Sequence, residues 1–287
     1  MNLQNIISEI EKTDPEVYER LDTRRDTMKK FANLSGKIAL AAIPIALGSM
    51  FKTAYGQTTN NVNDVLNFAL TLEYLEAEFY NNIVGSPGYL SASPAAQNAL
   101  TKIKDDENKH VAFLKSVLGS AAISKPSFDF TAGGGSGTGP FAGYLTNYTV
   151  QLAMAQTFED TGVRAYKGQA PALQSNRTVL TKALEIHSVE ARHASHVRQM
   201  RRAMNMAIPT GQVVKPWITL NESGIEFPPA NSAIQKSYNG EENTSQAGVD
   251  IVGIGGNTFL DNKEASAGFD EPLSTQEILD IVAPFFG

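Results

Sequence analysis

From about Asn61 to Met206 the apolar positions step by three and four residues, which is the spacing of one face of an α-helix. Four such stripes stand out. They are Val62, Leu66, Ala69, Glu73, Glu76, Tyr80; then Leu100, Ile103, Glu107, His110, Leu114, Val117; then Leu145, Tyr148, Leu152, Ala155, Glu159, Gly162, Tyr166; and finally Val179, Ala183, Ile186, Glu190, His193, Val197, Met200, Met204. Breaker residues divide them. Gly85-Ser86-Pro87-Gly88 ends a helix over Asn61–Val84, Gly119 ends one over Pro94–Leu118, and Gly168-Gln169-Ala170-Pro171 separates Phe141–Lys167 from Ser175–Met206. The fold class predicted is all-α, a bundle of four helices in two antiparallel hairpins.

Each stripe carries acids on the face it turns to the core, and they recur in a fixed order. Glu73 has Tyr80 seven residues on and is followed by Glu107-x-x-His110; Glu159 has Tyr166 seven on and is followed by Glu190-x-x-His193. The offset between halves is 86 residues for the Glu and Tyr positions and 83 for the Glu-x-x-His positions, which suggests hairpins related by a pseudo-twofold axis. One glutamate on one stripe is an ordinary solvated side chain. Four together are different, because a buried carboxylate costs several kcal/mol unless it is paired or binds a metal. Two divalent cations would neutralise four such carboxylates with both imidazoles uncharged.

Glutamate from each of two helices, with Glu-x-x-His from each of the other two, is the donor set of ferritin-like di-metal bundles. The chain resembles the ferritin-like superfamily over Asn61 to Ala207 on this motif. The strings Leu72-Glu73-Tyr74-Leu75-Glu76-Ala77-Glu78-Phe79-Tyr80 and Glu190-Ala191-Arg192-His193 resemble the branch that includes desiccation-related proteins. The resemblance implies a ferritin-like four-helix bundle with a long crossover between helices two and three. It also implies that Glu73, Glu107, His110, Glu159, Glu190 and His193 are metal ligands, with Tyr80 and Tyr166 behind them as hydrogen-bonding partners. Core packing accounts for those two tyrosines equally well. Glu76, one turn from Glu73, is a reserve donor, and so is His187, for which a hydrogen-bonded core role is the simpler reading.

Hard carboxylates and imidazoles suit two iron or manganese ions, and ligand preference alone leaves zinc open. Oxidation of the ions adds positive charge that an oxygen-derived anion would cancel, so dioxygen or hydrogen peroxide fits as the reacting partner. The function expected is a di-metal carboxylate protein in oxidative or desiccation stress defence. The alternative is a non-catalytic stress-protective or metal-storage protein.

Composition narrows the partners. The 287 residues are 42% hydrophobic and 19% charged with a net charge of −6, enough for one domain with appendages and unsuited to nucleic acid. Arg192, Arg198, Arg201 and Arg202 cluster near the end of helix four, where they would favour the negative helix terminus or face solvent. With no cysteine there is no disulfide, iron–sulfur cluster or rubredoxin-type iron, so a reductant must be external. A homo-oligomer, in its simplest form a dimer, is expected.

The flanks differ from the bundle, which is assigned to residues 57–207. In residues 1–56, Arg24-Arg25 precedes an uncharged run from Ile38 to Phe51 and then Ala54-Tyr55-Gly56, resembling a twin-arginine export signal. Export to the periplasm follows from that reading; a buried helix or uncleaved anchor is the competing one, and a mistaken signal would leave the protein cytoplasmic. Ser120 to Pro140 includes Gly133-Gly134-Gly135-Ser136-Gly137 and reads as a flexible crossover, since it lacks the Gly-Lys-Ser/Thr ending of a phosphate loop. Residues 208–287 hold 11 Asp or Glu against 3 Lys and read as a loop-rich acidic extension. Its short helix, Ser274 to Val282, starts on a Ser274/Glu277 capping box and offers Ile278, Ile281, Phe285 and Phe286 to the bundle or to a second subunit.

Overall fold

A computed structural model describes residues 62–204, 214–225, 231–254 and 260–287. The segment read as an export signal lies outside them. The described helices are α1 (Val62–Ile83), α2 (Pro87–Leu90), α3 (Pro94–Leu118), α4 (Tyr148–Gln169), α5 (Arg177–Ala203), α6 (Asn231–Gln235), α7 (Asn262–Ser266) and α8 (Thr275–Val282). They fall into two compact units. One holds the described residues from Val62 to Glu241 together with Asp270–Gly287, and the other those of Glu242–Phe269. The second contains a small antiparallel hairpin, β1 (Ser245–Gln246) with β2 (Val249–Asp250), and α7, which Asp261 and Glu264 close with a capping box.

In the larger unit α1, α3, α4 and α5 form an all-α bundle in which α1 packs on α3 and α4 on α5. Local chemistry sets the ends. Gly85 takes a left-handed φ of 90° after α1, and Ser93 caps α3 by accepting from Ala96 N with Pro94 in the first turn. Helix α4 starts at Tyr148, seven residues later than the expected Phe141. Gly143 turns the chain with a φ of 85°, and the Asn147 side chain accepts from the Thr149 and Val150 amides, so the helix cannot begin before it. Leu145 therefore lies in a turn and off the core stripe, at 37% exposure. Val117 and Met204 are also exposed at the far ends of their stripes, and Leu118 points inward instead.

The long connection is built around an acid rather than left flexible. Asp129 Oδ1 accepts from the Thr131 amide and hydroxyl, and Oδ2 accepts from the amides of Gly135 and Gly137 at 3.0 and 2.9 Å. The glycine run thus wraps its own carboxylate, which these bonds hold below the usual range. Phe130 and Phe141, on either side, enter the bundle core.

The extension packs on the bundle of its own chain. Ile218, Tyr238, Leu273, Ile278, Ile281 and Phe285 join Leu152 and Phe158 of α4 in one core, with Phe286 against it. Helix α8 begins on the expected Ser274/Glu277 capping box. As a result every residue of α4 from Val150 to Gln169 except Lys167 is buried. Two of the arginines assigned to a helix end or solvent lie inside this contact. Arg198 pairs with Asp160, and Arg201 bonds Gln156 and the Gly224 carbonyl, leaving only Arg192 and Arg202 exposed.

Candidate metal centre

The helical stripes bring their polar members to one place. Glu73 comes from α1, Glu107 and His110 from α3, Glu159 from α4, and Glu190 and His193 from α5. The four glutamates are 0% exposed and the two histidines 8% and 7%. Their donor atoms form two overlapping groups, Glu73, Glu107, His110, Glu190 and Glu107, Glu159, Glu190, His193, each within 4.8 Å and each able to hold a metal ion. Glu107 and Glu190 belong to both.

Distances agree with cation binding. His110 Nδ1 lies 3.2 Å from Glu73, 3.1 Å from Glu107 and 3.1 Å from Glu190; His193 Nδ1 lies 2.8 Å from Glu107 and 3.3 Å from Glu159. Donors at right angles about an ion with bonds of about 2.1 Å stand roughly 3 Å apart. Several of these contacts lack hydrogen-bond geometry. Glu107 Oε1, Glu159 Oε2, both Glu190 oxygens and His193 Nδ1 are buried without a hydrogen-bond partner. Buried polar atoms left this way are costly, and a cation between them removes the cost.

The electrostatics are those of too many acids in a dry space. Burial lifts Glu73 to about 7 against the His110 hydrogen bond, and burial with neighbouring carboxylates lifts Glu190 well above the ordinary range. Burial acts on Glu107 the same way, but the two imidazoles beside it prevail, His110 with a hydrogen bond and His193 at ion-pair distance, and hold it at about 2. Burial opposes protonation of His193, yet Glu159 and Glu107 raise it to about 11; His110 rises as well, on Glu107, Glu190 and Glu73.

The tyrosines stand behind the carboxylates across the pseudo-twofold. Tyr80 donates to Glu159 Oε1 and Tyr166 to Glu73 Oε1, both at 2.5 Å, so each tyrosine serves the glutamate of the other hairpin. Glu76 is buried within the cluster, where burial and then Glu190 raise it well above the usual range. His187 stays apart, half-buried, its Nδ1 3.0 Å from the Val163 carbonyl. Asp106 was not singled out by the stripes. Its Oδ2 lies 3.5 Å from His193 Nε2, on the side away from the glutamates, and Lys102 and Lys109 hold it charged at about 2 although burial opposes them. The signal for it was its place just before Glu107, a third of a turn round α3 toward α5.

Two openings approach the cluster. A cleft of about 750 Å³ between α3 and α5 reaches both histidines past Lys102, Asp106, Lys109 and Arg192. A cavity of about 20 Å³, lined by Leu66, Ala69, Leu72, Leu173 and Ile186, meets Tyr166 from another side.

Fold and site together define a helical bundle whose core holds a buried Glu/His cluster fitted to metal ions. Residues 61–203 match the family model of a ferritin-like domain, so the bundle is a ferritin-like domain and the chain belongs to the ferritin-like superfamily through it. No curated protein and no solved structure gives a significant match to the chain.

Proposed function

We propose that this domain holds two iron or manganese ions and reacts with dioxygen or hydrogen peroxide, using electrons from an external reductant, in oxidative or desiccation stress defence. The observation that carries the proposal is the pair of overlapping donor groups sharing Glu107 and Glu190. In this reading Glu73 and His110 would hold one ion and Glu159 and His193 the other, with Glu107 and Glu190 available to both. Bound iron or manganese would supply the change of oxidation state, since with no cysteine the chain has no thiol–disulfide couple of its own.

The chain's own part is positioning. Tyr80 and Tyr166 each occupy one oxygen of a glutamate, fixing its rotamer and leaving the other oxygen toward the centre. Asp106 faces the outer nitrogen of His193 and so favours the orientation in which Nδ1 points inward. The cleft over the histidines offers small hydrated molecules an approach, and the apolar cavity beside Tyr166 suits a small uncharged one. The Arg24-Arg25 segment supports a site of action outside the cytoplasm.

Metal analysis of protein as isolated, beside Glu107→Ala, tests the site. Two ions per chain in the parent and a sharp fall in the variant are expected. No binding after reconstitution with iron, manganese or zinc would defeat the proposal. Fully metallated protein that neither consumes oxygen on addition of ferrous ion nor removes peroxide would defeat its reactive part alone.

A further inference from the structure

The pseudo-twofold that pairs Glu73 with Glu159 and Tyr80 with Tyr166 also pairs Glu76 with Gly162, and here the halves differ. Gly162 lies inside α4, where glycine weakens a helix relative to alanine. Its φ is not in the left-handed region, so backbone conformation does not require glycine. Space does. A Cβ at this position would stand 3.1 Å from Glu76 Oε1 and 3.4 Å from Glu190 Oε2. The missing methyl is the room in which those two carboxylates lie.

Glu76 is 3% exposed and Glu190 0%, and neither oxygen of Glu190 has a hydrogen-bond partner. Two buried carboxylates sharing one pocket repel each other, and either a retained proton or a cation bound to both relieves that. A second glutamate at position 162 would crowd the same pocket, which accounts for a single extra acid. Building on the two-ion reading above, we infer that Glu76 is a seventh metal-binding side chain, sharing one ion with Glu190 in the notch left by Gly162. The centre is then asymmetric: one ion receives a carboxylate that the other lacks, and the ions bind with different affinities.

Titration of the full chain with Mn2+ followed by EPR spectroscopy tests this, using Glu76→Gln, Glu76→Ala, Gly162→Ala and the Glu76→Ala/Gly162→Ala double variant. Circular dichroism and melting confirm that each is folded. The parent should take up two ions in distinguishable steps. Both Glu76 variants should keep one step and weaken the other at least tenfold. Gly162→Ala should weaken the same step while melting no lower than the parent, and it should add nothing once Glu76 is alanine. Two unchanged steps in Glu76→Ala, or an equal effect of Gly162→Ala with and without Glu76, would overturn the inference while leaving the two-ion reading in place. A parent that binds neither Mn2+ nor, on reconstitution, iron or zinc would overturn both.

Discussion

Helix α4 carries two buried polar clusters on opposite sides, and they are organised differently. Outward, toward the extension, Asp160 meets Arg198 and accepts from Tyr238 at 2.7 Å, while Gln156 donates to Tyr238 and to the Ser223 carbonyl. Arg164 pairs with Glu241 and donates to the carbonyls of Ser237, Asn239 and Glu271. Each acid there faces a guanidinium, and among these residues and Arg201 beside them the unpartnered atoms are Glu241 Oε2, Arg201 Nε and Ser237 Oγ, none of them on an acid left without a counter-charge. Inward, Glu159 belongs to a cluster of five glutamates and two histidines in which five donor atoms are unpartnered. Adjacent residues, Glu159 and Asp160, thus enter opposite regimes. A buried cluster whose charges close among themselves is explained by the fold. One whose negative charge stays open is explained by what it binds.

The largest effect should come from opening the closed cluster. Arg198→Ala leaves Asp160 buried with its counter-charge removed, a loss of about 3–5 kcal/mol by the usual cost of breaking a buried pair. Urea unfolding should show the same loss with and without metal. A change below about 1 kcal/mol would mean that the outer cluster does not hold the extension to the bundle.

The open cluster should respond the other way. Glu190→Gln removes an acid that burial and neighbouring carboxylates already disfavour, so metal-free protein should keep its stability to within about 1 kcal/mol. What it should lose is stabilisation by metal, about 4 kcal/mol for the parent at a thousandfold excess over Kd. Melting curves with metal and with chelator give both quantities. An Arg198-like collapse of the metal-free variant would erase the distinction between the clusters.

Acidity sharpens it further. In metal-free protein Glu73 is raised from 4.5 to about 7 by burial, so its contribution is present below pH 4.5 and is lost as pH rises through 7. His193, raised from 6.5 to about 11 by its carboxylate neighbours against burial, contributes fully below pH 6.5 and loses that as pH rises through 11. Glu107, held at about 2 by the histidines, contributes above 4.5 and fails only as pH falls through 2. Metal must displace the histidine protons and any remaining on Glu73, so binding tightens as pH rises. The melting difference between metal-loaded and metal-free protein should therefore widen from pH 5 to pH 8. Calorimetry in buffers of different ionisation enthalpy should detect about two or more protons released per chain at neutral pH. A gap that stays constant across this range would contradict the protonated state of the empty cluster.

The inner cluster was readable because helical periodicity fixes which residues share a face, and every glutamate and histidine of the stripes lies on one. Periodicity carries less where another signal intervenes. It ran helix three back to Phe141, although Gly143 and the capping side chain of Asn147 hold the true start at Tyr148. It placed Arg198 and Arg201 near a helix end, yet their burial depends on Asp160, Tyr238 and Gly224, which only tertiary folding brings near. The glycine run was ambiguous for the same reason. Its ordering centre, Asp129, lies outside the run itself.

Asp106 tests whether the inner site extends beyond its inward-facing donors. It has the side-chain type of the outer cluster, an acid held by cations, but it faces His193 Nε2 at 3.5 Å from the cleft side. If its role is only surface charge pairing with Lys102 and Lys109, Asp106→Asn should change stability by no more than about 1 kcal/mol and leave metal binding alone. If it orients the imidazole, the same isosteric change should weaken binding about tenfold, roughly 1.4 kcal/mol, because outer partners of ligating histidines fix their tautomer and direction. The loss should fall on the ion held by His193 and Glu159, with the ion at His110 and Glu73 unaffected, since no carboxylate stands in Asp106's place before Glu190, where the residue is Val189. Resolved Mn2+ titration distinguishes the two outcomes: equal weakening of both steps would point to a general change in surface potential, and weakening of one would assign Asp106 to the centre.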